Sequence, residues 1–426
     1  MKKFLALIIA LVMALSLVAC GEQKQPDNPD VPDDGQQTAT VKVGFITLHD
    51  ENSTYDLNFI NAAKEAIANL GLTDADYILK TNVPEGQECY ETAMNLVDEG
   101  CNIIFADSFG HEDYMIQAAN EHPEVQFCHS TGTRAHTEGL ANYHNAFASI
   151  YEGRYLAGIA AGLKLNEMIE AGKFTADEAK MGYVGAFTYA EVVSGYTSFF
   201  LGARSVCPTV TMDVTFTGSW YDETLEKEGA EKLIQGGCKL ISQHADSLGA
   251  PTACENAGVP NVSYNGSTKD SCPNTFIVSS RIDWAPYYEM CIKAVMDGTE
   301  IPADWTGTLA TGSVVLTDVN ETAAAAGTAE AIAAATEKLE KGEIHVFDCA
   351  NFTTKVDDNT NTFKADYLKL DEAGHITSYM ADVDSDAAYT GDTEVIKDGY
   401  FAESEFRSAP YFDLQIDGIN LLDTKM

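Results

Sequence analysis

Short apolar runs alternate along this chain with longer segments in which apolar residues recur every three or four positions. The clearest case begins with an apolar, β-rich run at 41–46, followed by a polar loop at 49–56 and a helical pattern at 58–71. Buried strands that alternate with amphipathic helices are typical of βαβ units. The pattern therefore predicts an α/β fold with parallel sheets.

The alternation occurs in two series of similar length, and residues 142–149 interrupt the rhythm between them. Two such series predict two lobes of similar architecture. From residue 348 onward the sequence becomes polar and rich in Asp and Thr, with apolar and polar residues alternating at 363–370. We interpret residues 348–426 as a β-rich C-terminal appendage.

Polar and aromatic side chains follow directly after many of the predicted strands. In an open parallel sheet, ligands bind at the carboxyl ends of the strands, so these side chains are candidates for a common site. Aromatic rings surrounded by carboxylates and amides suit a ligand with a flat ring and hydroxyl or N–H edges. The candidates are Asp50, Asn58, Phe59, Asp107, Phe109, Trp220, Asp246, Asn265 and Arg281.

The first twenty residues have the three parts of an export signal, namely two lysines, an apolar run at 4–18 and a small-residue ending. That ending, Leu-Val-Ala-Cys at 17–20, resembles a bacterial lipobox, in which Cys20 becomes the lipidated first residue once 1–19 are removed. An ordinary cleaved signal with an incidental cysteine is the alternative. Residues 20–40 then predict a disordered tether, and one lipid on Cys20 predicts an extracytoplasmic protein anchored to the cell membrane.

The chain is strongly acidic, with a formal net charge of −39, or −41 without residues 1–19 and their two lysines. Such a surface repels phosphate backbones and anionic lipid headgroups, so nucleic acid is excluded as a partner. Besides Cys20, an odd number of cysteines remains, and several, such as Cys101 and Cys291, lie in apolar runs typical of the core. Many unpaired thiols in an exported chain would suit a reducing habitat.

The motifs of common catalytic and cofactor sites are missing from the sequence. His111-Glu112-Asp113 lacks the second histidine of a zinc helix, and the Asp-rich run at 382–386 lacks the glycine of a calcium loop. There is no GxGxxG, P-loop or GxSxG pattern. The sequence therefore predicts neither a metal nor a cofactor and favours binding over catalysis.

Four stretches carry a family resemblance across residues 41–350. They are VKVGFITLHD with the following YDLNF, NYHNAFASIYEGRYLAGIAAGL, GYVGAFTYAEVVSGYTSFFLGAR and LEKGEIHVFD. The chain resembles the basic membrane protein family of bacterial substrate-binding lipoproteins, whose best-understood members are purine-nucleoside receptors of ABC importers. The resemblance implies two Rossmann-like lobes of the type I periplasmic-binding-protein kind, joined by a hinge. The implied units are an N-terminal lobe (41–145 with about 279–320), a C-terminal lobe (146–278 with about 321–347) and the extension (348–426).

The resemblance also implies a role for each of several candidates. Asp50 would hold the ribose hydroxyls, Asn58 and Asp107 would read the edge of the base, Phe59 would stack on it, Trp220 would supply the aromatic of the opposite lobe, and Arg281 would approach the sugar. Two positions depart from the family pattern. Arg281 stands where lysine is common, and Tyr-Asn-Gly at 264–266 replaces the usual aspartate pattern, so a flavin or a free base is an open alternative.

These observations predict an extracytoplasmic receptor that captures a purine nucleoside or a related heterocycle and delivers it to an ABC permease. Such a receptor is not an enzyme. A surface nucleoside hydrolase is the alternative from another class, but it would need a group that activates water, commonly several carboxylates holding a metal. A sensor that presents the same ligand to a membrane kinase also fits the sequence.

Overall fold

The computed structural model of the chain describes residues 40–383 and 391–424. The predicted export signal, the predicted lipidation site Cys20 and the predicted tether up to residue 39 lie outside these residues. Within the described ranges, no helix has both the length and the apolar character that crossing a bilayer requires.

Strands and helices alternate as the sequence predicts. In chain order the strands are β1 (Val43–Ile46), β2 (Tyr77–Lys80), β3 (Ile103–Ala106), β4 (Gln126–Ser130), β5 (Tyr143–Ala148), β6 (Lys180–Gly185), β7 (Thr211–Phe216), β8 (Leu240–Gln243), β9 (Asn261–Tyr264), β10 (Phe276–Ile282), β11 (Asp304–Gly307), β12 (Val314–Leu316), β13 (Leu368–Leu370), β14 (Ile376–Ala381), β15 (Thr393–Glu394), β16 (Ile396–Lys397), β17 (Tyr400–Phe401) and β18 (Ile419–Leu421). The α-helices are α1 (Thr54–Asn69), α2 (Gln87–Asp98), α3 (Glu112–Glu121), α4 (Ala135–Glu138), α5 (Ile150–Glu170), α6 (Ala190–Val206), α7 (Glu223–Gln235), α8 (Gly249–Ala257), α9 (Ala285–Asp297) and α10 (Thr328–Glu340).

The strands form two large sheets with helices packed on them. The first sheet has the order β11-β5-β4-β3-β1-β2, with every pairing parallel, and we call it, together with α1–α4 and α9, the first lobe. The second sheet has the order β12-β10-β9-β8-β6-β7-β18, in which only β12 runs antiparallel to its neighbour. We call it, together with α5–α8 and α10, the second lobe. The predicted α/β fold class with parallel sheets is confirmed.

Two helices of the second lobe pack without space for side chains between them. A Cβ atom at Gly158 on α5 would overlap the backbone of Phe199, and one at Gly202 on α6 would overlap the backbone of Tyr155. The small residues of α5 that the sequence shows thus allow the two helix backbones to approach each other closely.

The predicted segment 279–320 is divided between the lobes. Helix α9 packs on α1, and β11 pairs with β5, so both belong to the first lobe. Strands β10 and β12 pair with each other in the second sheet. The chain therefore crosses between the lobes more than once within this segment. The exact lobe boundaries given in the sequence analysis stay predictions.

The sequence pattern suggests that residues 142–149 interrupt the alternation of strands and helices. In the structure, this segment instead contains strand β5 of the first sheet. All six residues of β5 are buried. The sequence pattern misses this strand because it contains polar residues, which are hydrogen-bonded in the fold. His144, for example, lies 3.0 Å from the carbonyl oxygen of Pro302 and 2.8 Å from the side chain of Gln126. Buried polar groups with such partners do not produce an apolar run.

The C-terminal extension is β-rich, as predicted, and contacts both lobes. Strands β13, β14 and β15 form an antiparallel sheet, and β16 pairs with β17. The last strand, β18, instead joins the second sheet beside β7. Toward the first lobe, the backbone N–H of Ser408 donates to Asp304 Oδ2 at 2.7 Å.

The cysteines of the described residues, from Cys89 to Cys349, are all buried and unpaired. The prediction that Cys101 and Cys291 belong to the core is confirmed. Buried thiols of this kind act as small apolar residues.

Candidate functional site

A cleft lies between the two lobes, at the carboxyl ends of their strands. Its walls enclose about 360 Å³ of space, a volume that includes space open to solvent. Its first-lobe wall comes from the exits of β1, β3 and β4 and the first turn of α1, and its second-lobe wall from the exits of β7, β8 and β9 and the start of α6. The lining residues are Leu48, His49, Tyr55, Asp56, Ser108, Phe109, Thr131, Glu191, Trp220, His244, Asp246 and Tyr264.

Aromatic rings from both lobes meet at this cleft. Phe109 of the first lobe stacks on Tyr189 of the second, with ring centroids 5.2 Å apart. Trp220 packs edge-on against Phe187 at 5.0 Å, which fixes the indole at the second-lobe wall. A flat ring bound here would meet aromatic surfaces from both lobes.

The carboxyl groups at the cleft differ in their protonation. Burial alone would raise the pKa of Asp56, but hydrogen bonds from His49 and Ser53 outweigh it and lower that pKa below its usual value. Burial, followed by the negative charge of Asp56, raises the pKa of Asp107 well above its usual value, and burial does the same for Asp246. Asp56 is therefore ionised, whereas Asp107 and Asp246 keep their protons to higher pH.

Several buried polar atoms around the cleft lack a hydrogen-bond partner among the described residues. They include Thr131 Oγ1 and Tyr264 OH on the cleft wall and Asp107 Oδ2 directly behind it. An unpaired buried polar group costs roughly 1–3 kcal/mol. Thr131 is also a β-branched residue with a φ of +73°, a strained conformation that concentrates at functional sites. These groups are suited to a polar ligand.

A second set of contacts joins the lobes directly. The backbone N–H and the hydroxyl of Thr54 on α1 donate to the carbonyl oxygen of Asp246, at 3.0 and 3.1 Å. Asn58 Nδ2 lies 3.4 Å from Asn265 Oδ1, and Asn265 Nδ2 lies 3.3 Å from Asp246 Oδ1. These hydrogen bonds connect the start of α1 in the first lobe to the ends of β8 and β9 in the second lobe, so the two lobes are in direct contact.

Six of the nine predicted ligand residues come together at or beside this cleft. Phe109, Trp220 and Asp246 line it. Asn58 and Asn265 form the contact between the lobes, and Asp107 lies behind the wall, where its carbonyl oxygen accepts a hydrogen bond from Tyr55 OH at 2.7 Å. Their ligand contacts stay predictions.

The other three predicted residues do not line the cleft. Asp50 lies on the loop after β1, where it accepts hydrogen bonds from Asn52 at 2.8 Å and Asn82 at 3.4 Å. Phe59 is buried in the first-lobe core, stacked on Trp284 at 4.6 Å. Arg281 lies within β10 beside Asp283, at 3.4 Å.

The displacement of Phe59 follows from where α1 begins. The sequence pattern places the helix start at residue 58, but the structure starts it at Thr54, with Ser53 as N-cap accepting from the backbone N–H of Asp56. Tyr55, one turn earlier than Phe59 and 4.8 Å from it, therefore lines the cleft in its place. Ser53 followed three residues later by an acidic residue is the capping signal that would have located this start.

Other wall residues, Glu191, Thr131 and His244 among them, were not among the candidates. Glu191 begins a helix instead of ending a strand, and Thr131 offers no charge or ring that marks it in the sequence. His244 contacts Glu191, with Nε2 and Oε1 3.3 Å apart, and burial lowers its pKa, so it is neutral. His244 and Thr131 directly follow β8 and β4, so their positions fit the rule applied to the candidates, whereas Glu191 is recognised only when the two sheet edges face each other.

Known proteins share sequence similarity with this chain. A family model described as ABC transporter substrate-binding protein PnrA-like, named Bmp, matches residues 44–348. A purine-binding protein of Brucella abortus is 32% identical over 262 residues, which cover 61% of this chain and 70% of the relative. The ABC transporter nucleoside-binding protein BmpA of Lactococcus lactis is 23% identical over 256 residues, covering 58% of this chain and 67% of that protein.

A solved structure, an ABC transporter solute-binding protein from Conexibacter woesei, shares the fold. It superposes with a TM-score of 0.58 at 20% identity and covers 72% of this chain and 98% of its own. Because the family model spans well over half of the chain, the chain belongs to the Bmp family of PnrA-like substrate-binding proteins of ABC transporters.

Proposed function

We propose that this protein is a lipid-anchored receptor that captures a purine nucleoside or a related flat heterocycle in the cleft between its lobes and delivers it to an ABC permease. The observation that carries the proposal is the wall of the cleft. Rings from both lobes line it together with the hydroxyls of Thr131 and Tyr264, which have no partner among the described residues, and this combination suits a flat ligand with polar edges. The relatives named as purine-binding and nucleoside-binding proteins support the same ligand class.

Ligand capture of this kind needs no covalent step. Closure of the lobes excludes water, which strengthens the hydrogen bonds to the ligand. The contacts of Thr54 and Asn58 with the second lobe would hold the closed state while the ligand is bound. We therefore propose a binding protein and not an enzyme.

Calorimetric titration of the full chain, purified in detergent, tests this function. We expect saturable binding of inosine, adenosine or guanosine and no binding of glucose, because glucose has no flat ring to stack on the aromatic walls. Binding of glucose without any purine nucleoside would contradict the proposal. So would release of free hypoxanthine from inosine, which would indicate a hydrolase.

The lipid anchor is tested by substituting Cys20. We expect Cys20→Ser to abolish incorporation of labelled palmitate, because the lipid needs a thiol at that position. A label retained by the variant would contradict the anchor and leave the ligand-binding function standing.

A further inference from the structure

The charges of the cleft wall are of one sign. Among the described residues that line it are the carboxyl groups of Asp56 and Glu191, besides Asp246, whose pKa burial raises, and neither lysine nor arginine. A buried cation, Arg154, lies behind the wall with its guanidinium 4.3 Å from the ring centroid of Tyr264. A ligand in the cleft therefore meets the carboxyl groups of Asp56 and Glu191 directly, whereas the Tyr264 ring separates it from Arg154.

Glu191 is held in place by a chain of hydrogen bonds that starts at Arg154. Arginine only donates, so Tyr183 OH accepts from Arg154 and uses its own hydrogen toward His244 Nδ1, 3.4 Å away. His244 then carries its hydrogen on Nε2, which lies 3.3 Å from Glu191 Oε1. This bond fixes the carboxylate and leaves Oε2 for a donor of the ligand.

Aromatic faces complete the environment. Tyr55, Phe109 and Trp220 line the same cleft as Glu191, whereas the Tyr264 ring already has the Arg154 guanidinium over its face. The faces of such rings carry partial negative charge and attract cations, most strongly where water is excluded. A neutral heterocycle would gain only from stacking, whereas a cationic one would gain from the rings and the carboxylates together.

Two buried hydroxyls on the cleft wall are also suited to a polar ligand. Thr131 and Tyr264, which are 4% and 3% exposed as residues, line the cleft, and their hydroxyls have no hydrogen-bond partner among the described residues. We infer that the cleft selects flat heterocycles that carry a positive charge on the ring, such as N-methylated purine nucleosides, over neutral ones and over phosphorylated ones. The inference rests on the proposed function and names the ligand class of that same site.

Pairs of isomeric nucleosides test this selectivity without a change in size. At pH 6.5, 1-methyladenosine is a cation and N6-methyladenosine is neutral, and 7-methylguanosine carries a positive ring whereas 1-methylguanosine does not. We expect calorimetry on the full chain to show the cationic isomer binding at least about tenfold tighter in one or both pairs. Adenosine 5′-monophosphate should bind at least about tenfold more weakly than adenosine.

The matched variants are Glu191→Gln and Glu223→Gln. Glu191→Gln keeps the shape of the side chain but removes its charge, and it should reduce the preference to less than about threefold. Glu223 is exposed in the first turn of α7 and does not line the cleft, so Glu223→Gln should keep the preference. Equal melting temperatures of the two variants without ligand show that the fold is intact.

The outcomes separate the inference from the proposed function. The inference would be overturned by equal affinities within both isomer pairs, by tighter binding of the neutral isomers, or by an undiminished preference in Glu191→Gln. In each of these cases, binding of adenosine would still support the proposed function. Failure of every nucleoside to bind would overturn both.

Discussion

Replacing Trp220 with alanine is expected to raise the Kd for a purine nucleoside roughly 30-fold. The indole lines the second-lobe wall, and its loss removes the largest aromatic surface that the second lobe offers to a flat ligand. Burial of a tryptophan face and its stacking together contribute about 2 kcal/mol to binding. Calorimetric titration with inosine, adenosine or guanosine measures the change, and Trp220→Phe should recover most of the affinity.

Phe59→Leu is the matched control, because Phe59 is an aromatic that the structure places in the core instead of the cleft. We expect this variant to lose about 1 kcal/mol of stability, as conservative core substitutions do, with a Kd within about twofold of the original. If Phe59→Leu weakened binding as much as Trp220→Ala, the cleft assignment of Tyr55 and Trp220 would be wrong.

Gly202→Ala is expected to destabilise the protein by about 3 kcal/mol or more. The new methyl group would overlap the carbonyl group of Tyr155 across the contact between α5 and α6. Backbone atoms in a packed helix pair do not move aside as a flexible side chain does, so the two helices must separate. Chemical denaturation, or the melting temperature of the unliganded chain, measures the effect.

Gly229→Ala is the control, since Gly229 also lies inside a helix, α7. Its new methyl group would make ordinary contacts, the nearest at 3.4 Å from Val184 Cγ1. Removing a helical glycine should then be neutral or raise stability by up to about 1 kcal/mol. A loss of stability in Gly229→Ala equal to that in Gly202→Ala would show that helix packing is not the cause.

The sequence by itself determined the repeating strand and helix pattern and the side of the sheets where the site lies. Both follow from local physics, because buried parallel strands need apolar runs and ligands bind beyond their carboxyl ends. Phe109, Trp220 and Asp246 were identified in this way, directly from their positions after strands. Even the start of α1 was within reach, through the cap formed by Ser53 and Asp56.

Only the tertiary structure decided which side chains share the cleft. One helical turn separates Tyr55, on the wall, from Phe59, in the core, and a helix start misplaced by a turn exchanges their roles. The pairing of β11 with β5 and the approach of Glu191 to the first-lobe wall join residues far apart in the chain. Such contacts depend on how two sheets face each other, and no local pattern of hydrophobicity records that.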